Sequence, residues 1–260
     1  MMQIGKVSAV RSGSAKIKTF QVLGERNSGT NFLQSFLAQN LYLLQKPELG
    51  WKHGFPAFVA ASNGHLAVVI FREALGWCRS MFGKPWHASP ALREMTFEAF
   101  LRAEWNTYVD QARFFRLAEG DRRVGQPLQY DRHPVTGRAF QNLLALRNAK
   151  NAAFAGLAER RMNVAFVRHE DVVADPAGVL QSLSDGFDLQ LRVADPIIPD
   201  GQFGWKMKKR QVELPPAGLM PGDRAFVVSQ LDLELEARIG YRYGSACVEI
   251  APDPPFFITE

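Results

Sequence analysis

The chain has 260 residues, with 31 Lys and Arg against 26 Asp and Glu, a formal charge of +5, 47% hydrophobic and 22% charged residues. That composition excludes collagen-like, coiled-coil and disordered chains, and no run of ~18 consecutive apolar residues is present to span a membrane. The expectation is a soluble globular chain whose mild basic excess suits anionic ligands such as nucleotides, nucleic acid and sulfated or phosphorylated substrates.

Cys78 and Cys247 are the only cysteines. Two thiols make neither a disulfide framework nor a metal site, and a reducing compartment follows. The opening stretch, MMQIGKVSAVRSGSAKIKTF, has early basic residues but no apolar core of the secretory kind. The cytoplasm is the expected location.

Residues 18–23 (KTFQVL) predict a short strand, and Gly24 to Gly29 a polar turn. A helix follows, with Leu33, Phe36, Leu37, Asn40 and Leu41 at helical spacing. The apolar run 65–71 (HLAVVIF) predicts a strand covered on both faces. It ends at Arg72 and leads into a helix from Glu73 to Phe82. Thr96 opens a long predicted helix that Gly120 ends. The Gly-, Pro- and Arg-rich stretch 121–137 is the longest predicted loop, suited to a surface connection or a substrate lid. Residues 139–160 predict another helix, 163–168 (NVAFVR) a strand, and Asp175-Pro176 the start of a helix through Leu183. Alternating strands and helices argue for an α/β fold, a central parallel sheet in a three-layer α/β/α arrangement. One domain over 1–260 is expected, with a helical insertion and loop over roughly 84–160.

Gly24-Glu25-Arg26-Asn27-Ser28-Gly29-Thr30-Asn31-Phe32-Leu33 lies between the first predicted strand and its helix. Amides at a helix start make an anion site there, and small residues let a phosphate approach the backbone. Ser28, Thr30 and Asn31 add side-chain donors. The spacing fits the two glycines of a nucleotide-binding P-loop, but Thr30 stands where that motif needs Lys and Asn31 where it needs Ser or Thr.

GERNSGTNFL resembles the 5′-phosphosulfate loop of the sulfotransferase superfamily, in which Lys or Arg precedes Ser-Gly-Thr. The resemblance implies a P-loop NTPase-like sulfotransferase fold and 3′-phosphoadenosine 5′-phosphosulfate (PAPS) as donor. Asn27, Ser28, Gly29, Thr30 and Asn31 would then hold the 5′-phosphate, with Phe32 near the adenine. Asn27 departs from the family's cation, and the nearest is Arg26. A second match, IFREALGWCRSMF, implies that Arg72 and Ser80 bind the 3′-phosphate. An arginine at the carboxyl end of a parallel strand points into the ligand crevice of an open sheet. Ser80, eight residues on, is just over two helical turns away and on nearly the same face. A third match, VRHEDVVADPAGVLQSL, has His169 in place of the usual Tyr and reads as mainly structural, as does LEARIGY near the end. The matches run from about residue 20 to residue 243.

The superfamily's base, His or Glu, comes from the region of Trp51-Lys52-His53-Gly54. His53 is the candidate general base, as histidine commonly is near neutral pH. Lys52 and Arg26 are the candidate cations for the transferring group. The basic segment Lys206 to Arg210 sits where the family carries a late loop that closes on the 3′-phosphate, with Lys208 and Arg210 among its candidates. His65, His87 and His133 receive no role, and His169 at most a contact to the nucleotide base. No His/Cys/Asp/Glu cluster has metal-ligand spacing, so no metal is expected. The expected activity is sulfuryl transfer from PAPS to a hydroxyl or amine of a small-molecule or glycan acceptor, leaving 3′-phosphoadenosine 5′-phosphate (PAP), with no nucleic-acid partner. The alternatives are a P-loop phosphoryl-transfer enzyme and a non-catalytic nucleotide-binding protein that keeps the fold.

Overall fold

In the computed structural model, which describes residues 2–201, 213–244 and 248–250, the apolar run becomes β5 (His65–Phe71), buried at every position. Around it the chain forms β1 (Met2–Ile4), β2 (Val7–Val10), β3 (Thr19–Leu23), α1 (Thr30–Asn40) and β4 (Leu44–Gln45). After β5 come α2 (Ala74–Gly83), α3 (Pro90–Glu94), α4 (Phe97–Arg102) and α5 (Leu143–Ala155). The chain continues through β6 (Asn163–Arg168), α6 (His169–Ala174), α7 (Pro176–Phe187), α8 (Pro221–Gln230), α9 (Leu233–Arg238), β7 (Tyr241–Tyr243) and β8 (Val248–Ile250). Two compact units result. One is built from Met1–Glu73, Lys150–Lys206 and Asp232–Glu260, the other from Ala74–Ala149 and Met207–Leu231. The helical insertion expected over roughly 84–160 falls mostly in the second. No described helix is long and apolar enough to cross a membrane.

The first unit holds a six-stranded sheet in the order β1-β2-β6-β5-β3-β4. The sheet is mixed, not parallel throughout: β4, β3, β5 and β6 run parallel, while β1 and β2 form an antiparallel hairpin that pairs with β6. Gly5 makes this hairpin possible, since a two-residue turn between Ile4 and Val7 takes φ +51° there. Alternate residues of each strand divide between two cores. Phe20, Val22, Val68 and Ile70 pack with Leu33, Phe36 and Leu37 of α1 and Leu180 and Leu183 of α7. Leu23, Ala67, Val69 and Phe71 pack on the other face with Phe154, Leu157, Leu235 and Tyr241. Asn40, on the apolar stripe of α1, is satisfied there: its Nδ2 donates to the carbonyls of Phe36 and Ile197, and its Oδ1 accepts from Ile197 N.

The second unit corrects the long helix predicted from Thr96. Thr96 does cap a helix, accepting from Ala99 N, but α4 ends at Arg102. Trp105, Thr107 and Val109 are then buried at alternate positions, with strand-like bridges from Trp105 to Phe140 and from Thr107 to Ala88. A buried carboxylate holds this extended piece: Asp131 accepts from Trp105 Nε1 at 3.3 Å and Thr107 Oγ1 at 2.8 Å. Aromatic and β-branched residues every second position favour the extended chain once such partners exist. The helix predicted over 139–160 is shorter as well, α5 being followed by a 3-10 turn at Gly156–Glu159.

Asp175 caps α7, its side chain accepting from Gly178 N at 2.9 Å, with Pro176 in the first turn. Asp175→Ala is expected to lower the stability of the sheet unit by about 1 kcal/mol, and Asp175→Asn by much less, read as the shift in urea midpoint followed by circular dichroism.

Candidate functional site

Leu23 of β3 lies opposite Val69 of β5 in a parallel pair, so the segments leaving their carboxyl ends start side by side. From β3 the chain passes through α1 to the edge strand β4, and from β5 it reaches β6 on the other side. The crevice between the two strand ends is therefore the switch point of the sheet, where open α/β sheets bind ligands.

The turn from Gly24 to Gly29 is folded tightly into this crevice. A Cβ on Gly24 would lie 2.5 Å from the Ile70 carbonyl oxygen, and one on Gly29, at φ +90°, would lie 2.7 Å from His169 Nδ1. Asn27 takes φ +62°. Asn tolerates this left-handed backbone better than most side chains, which accounts for the residue found there. Arg72, just past β5, donates from Nη1 to the Asn27 carbonyl at 2.8 Å. Ser28 and Thr30 are buried. Gly29 caps α1 without a side-chain acceptor, and the first turn of that helix carries no acidic residue. The positive end of the helix dipole is thus left for an anion.

Lys52, in the segment that follows β4, reaches this helix start. Its Nζ donates to Asn31 Oδ1. Burial lowers its pKa to about 8. The backbone beside it is tied to the turn, Gly24 N donating to the Lys52 carbonyl at 3.0 Å. The segment Trp51–Gly54 is a turn and not the end of a strand, β4 being two residues long. His53 contacts the Gly24 carbonyl through Nδ1 at 2.7 Å. A carbonyl only accepts, so Nδ1 carries the proton and Nε2 the lone pair. Burial, followed by the positive charge of Lys52, pushes the His53 pKa well below its ordinary value. The imidazole is neutral at pH 7.

Beneath the turn lies a charge cluster that the sequence reading missed. Glu25 is buried between two cations: Arg26 Nε donates to Oε1 at 2.8 Å, and Lys150 Nζ lies 2.8 Å from Oε2. Arg26, expected to face the transferring group, is thus buried with its charge shared by Glu25, and its guanidinium lies 5.9 Å from the Trp51 ring centre. One sequence signal did point to Lys150. It falls in register with Leu143, Leu146 and Phe154 on the apolar stripe of α5, where a lysine needs a partner.

The remaining predicted residues lie in several places. Phe32 is half-buried, stacked on Phe36 with ring centres 6.1 Å apart, and packs against the core. His169 opens α6 against Gly29, its pKa lowered by burial and then by the charge of Arg72, with Glu170 opposing. Glu170 accepts from Glu73 N and from Tyr241 Oη, and Arg168 donates to Asp171 at 2.5 Å. Ser80 is a half-buried residue of α2 in the second unit. Lys206, Lys208, Lys209 and Arg210 lie outside the described residues. No family model, curated protein or solved structure matches the chain.

The contact between Lys52 and Asn31 sets a measurable titration. Asn31→Asp is expected to raise the Lys52 pKa from about 8 by roughly 1–3 pH units, read by NMR titration of the lysine side chain. An unchanged titration would mean that the two side chains do not meet.

Proposed function

We propose that this chain binds PAPS in the crevice between β3 and β5 and moves its sulfuryl group to a hydroxyl or amine acceptor, a small molecule or a glycan. The observation that carries the reading is Lys52 on Asn31: a cation from another segment stands at the helix start where the turn itself lacks one. The donor set also fits a phosphorylated ligand. The start of α1 has no side-chain cap, and Arg72 lies alongside, bonded to the Asn27 carbonyl.

In this reading Asn27, Ser28, Gly29, Thr30 and Asn31 hold the 5′-phosphate, and Arg72 faces the 3′-phosphate. Bound PAPS supplies the electrophilic sulfur and a good leaving group. His53 Nε2 accepts the proton of the attacking hydroxyl or amine, while the Nδ1 contact with Gly24 fixes the ring. Lys52, and not the Glu25-paired Arg26, offsets the negative charge that gathers on the bridging oxygen as the bond from sulfur to phosphate oxygen breaks. The depressed basicity of His53 suits a site that takes a polyanion. Negative charge beside the ring favours the imidazolium and raises the pKa toward neutrality.

The test is a thermal-shift comparison of PAP with ATP and AMP on the wild type and on Arg72→Ala. PAP at ~100 times its Kd should add roughly 2.7 kcal/mol to the wild type, with little effect from AMP or on Arg72→Ala. The same affinity should fall as pH rises through about 8, because Lys52 is a cation below that pH and neutral above it. Lys52→Met should flatten that pH dependence and weaken PAP by about 1.5–3 kcal/mol, tenfold or more in Kd. Equal stabilisation by ATP, or none by PAP, overturns the reading. PAP binding with no turnover of PAPS on any acceptor would identify a nucleotide-binding protein that keeps the site without the chemistry.

A further inference from the structure

We infer that Lys150 is a positioning residue that pins His53 against the glycine turn, with Glu25 as its buried counter-ion. The inference rests on the sulfotransferase reading only for the role of His53; the contacts stand without it. Lys150 is fully buried, 0% exposed, although it is a lysine in the middle of a helix. Its Nζ donates to the His53 carbonyl at 2.8 Å and lies 2.8 Å from Glu25 Oε2. The rings of Trp51 and Phe55 flank it, their centres 5.9 and 5.8 Å from Nζ. One ammonium thus joins three parts of the chain: α5, the 51–55 segment and the turn after β3.

Two features argue that this joint serves the site and not packing alone. A buried ion pair is a poor way to stabilise a core, since apolar residues of similar volume often do as well or better. What the ion pair supplies is direction. Nζ bonds to the backbone of His53, and Glu25 is sequence-adjacent to Gly24, whose carbonyl meets the His53 ring at 2.7 Å. Lys150 therefore closes a loop of contacts, from Nζ to Glu25, to Gly24, to the His53 ring and back through the His53 carbonyl. The groups that bear on the imidazole are Lys52 on its own segment, Gly24 and Arg26 on the turn, and Lys150 on α5. Glu25 balances the charges of Arg26 and Lys150. Removal of Lys150 takes away one cation and the backbone anchor together.

The experiment uses the full chain without ligand and three variants: Lys150→Met, Lys150→Met with Glu25→Gln, and Lys150→Arg. Lys150→Met alone should lower Tm, because it leaves the Glu25 carboxylate with less compensation. The double variant removes that charge and should regain most of the lost Tm. Nitrogen-15 NMR of the His53 ring then reads the positioning. In the wild type the proton sits on Nδ1. In the double variant this single tautomer should give way to a mixture, because the His53 carbonyl loses its anchor. Lys150→Arg, which keeps the cation, should hold the wild-type tautomer. A double variant that regains Tm but keeps the single wild-type tautomer overturns the inference. So does one that fails to regain Tm, since Lys150 would then be a packing element. PAP binding by the wild type is measured in parallel. Its absence refutes the sulfotransferase reading and leaves the His53 result to decide the positioning role by itself.

Discussion

The parallel pairing of β3 with β5 is the constraint on which the site depends. With Leu23 opposite Val69, the next residues on the two strands, Gly24 and Ile70, are forced together until no Cβ fits on residue 24. Two residues further on, Arg72 meets the Asn27 carbonyl. Each contact is a consequence of register: a slip by one residue would move every strand side chain to the opposite face and bury the wrong set. Burial on both faces of β5 makes such a slip costly, so the core that stabilises the sheet also sets the crevice.

Charge in the crevice is arranged in two layers. Below, Glu25 absorbs the positive charge of Arg26 and Lys150 in a buried cluster. Above, Lys52 stands at the start of α1 on Asn31. The turn's own cation, Arg26, is thereby paired in the interior, and the cation at the start of α1 comes from a segment that is distant in sequence. The backbone gives a physical account of Asn27: the residue there must accept a left-handed conformation, which Asn tolerates better than most.

The stretch after Thr96 shows how tertiary contacts override a local pattern. Its cap and first turn behave as the sequence suggests, and α4 starts where expected. Beyond Arg102 the pattern of residues is compatible with helix or extended chain. The choice falls to Asp131, which is 26 positions from Trp105 and takes its indole N–H and the Thr107 hydroxyl. A buried carboxylate without donors is costly, and the extended form supplies two. The β1–β2 hairpin is a similar case. Its strands are three and four residues long, and their stability comes from pairing with β6.

Local sequence alone determined the strand ending at Leu23, the glycine turn, the apolar stripe of α1, the fully buried β5 ending beside Arg72, and the Asp175 cap. Each rests on periodicity or on a backbone preference acting within a few residues. The family resemblance named Lys52, His53 and Arg72 one by one. Only the tertiary structure decided that Lys52 meets Asn31, that the Nδ1–H of His53 donates to the Gly24 carbonyl, and that Glu25 and Lys150 are a buried pair. Those outcomes depend on which charges come together once the strands are in register. The energy of a charge in a protein is set by its burial and its neighbours, and both come from distant parts of the chain.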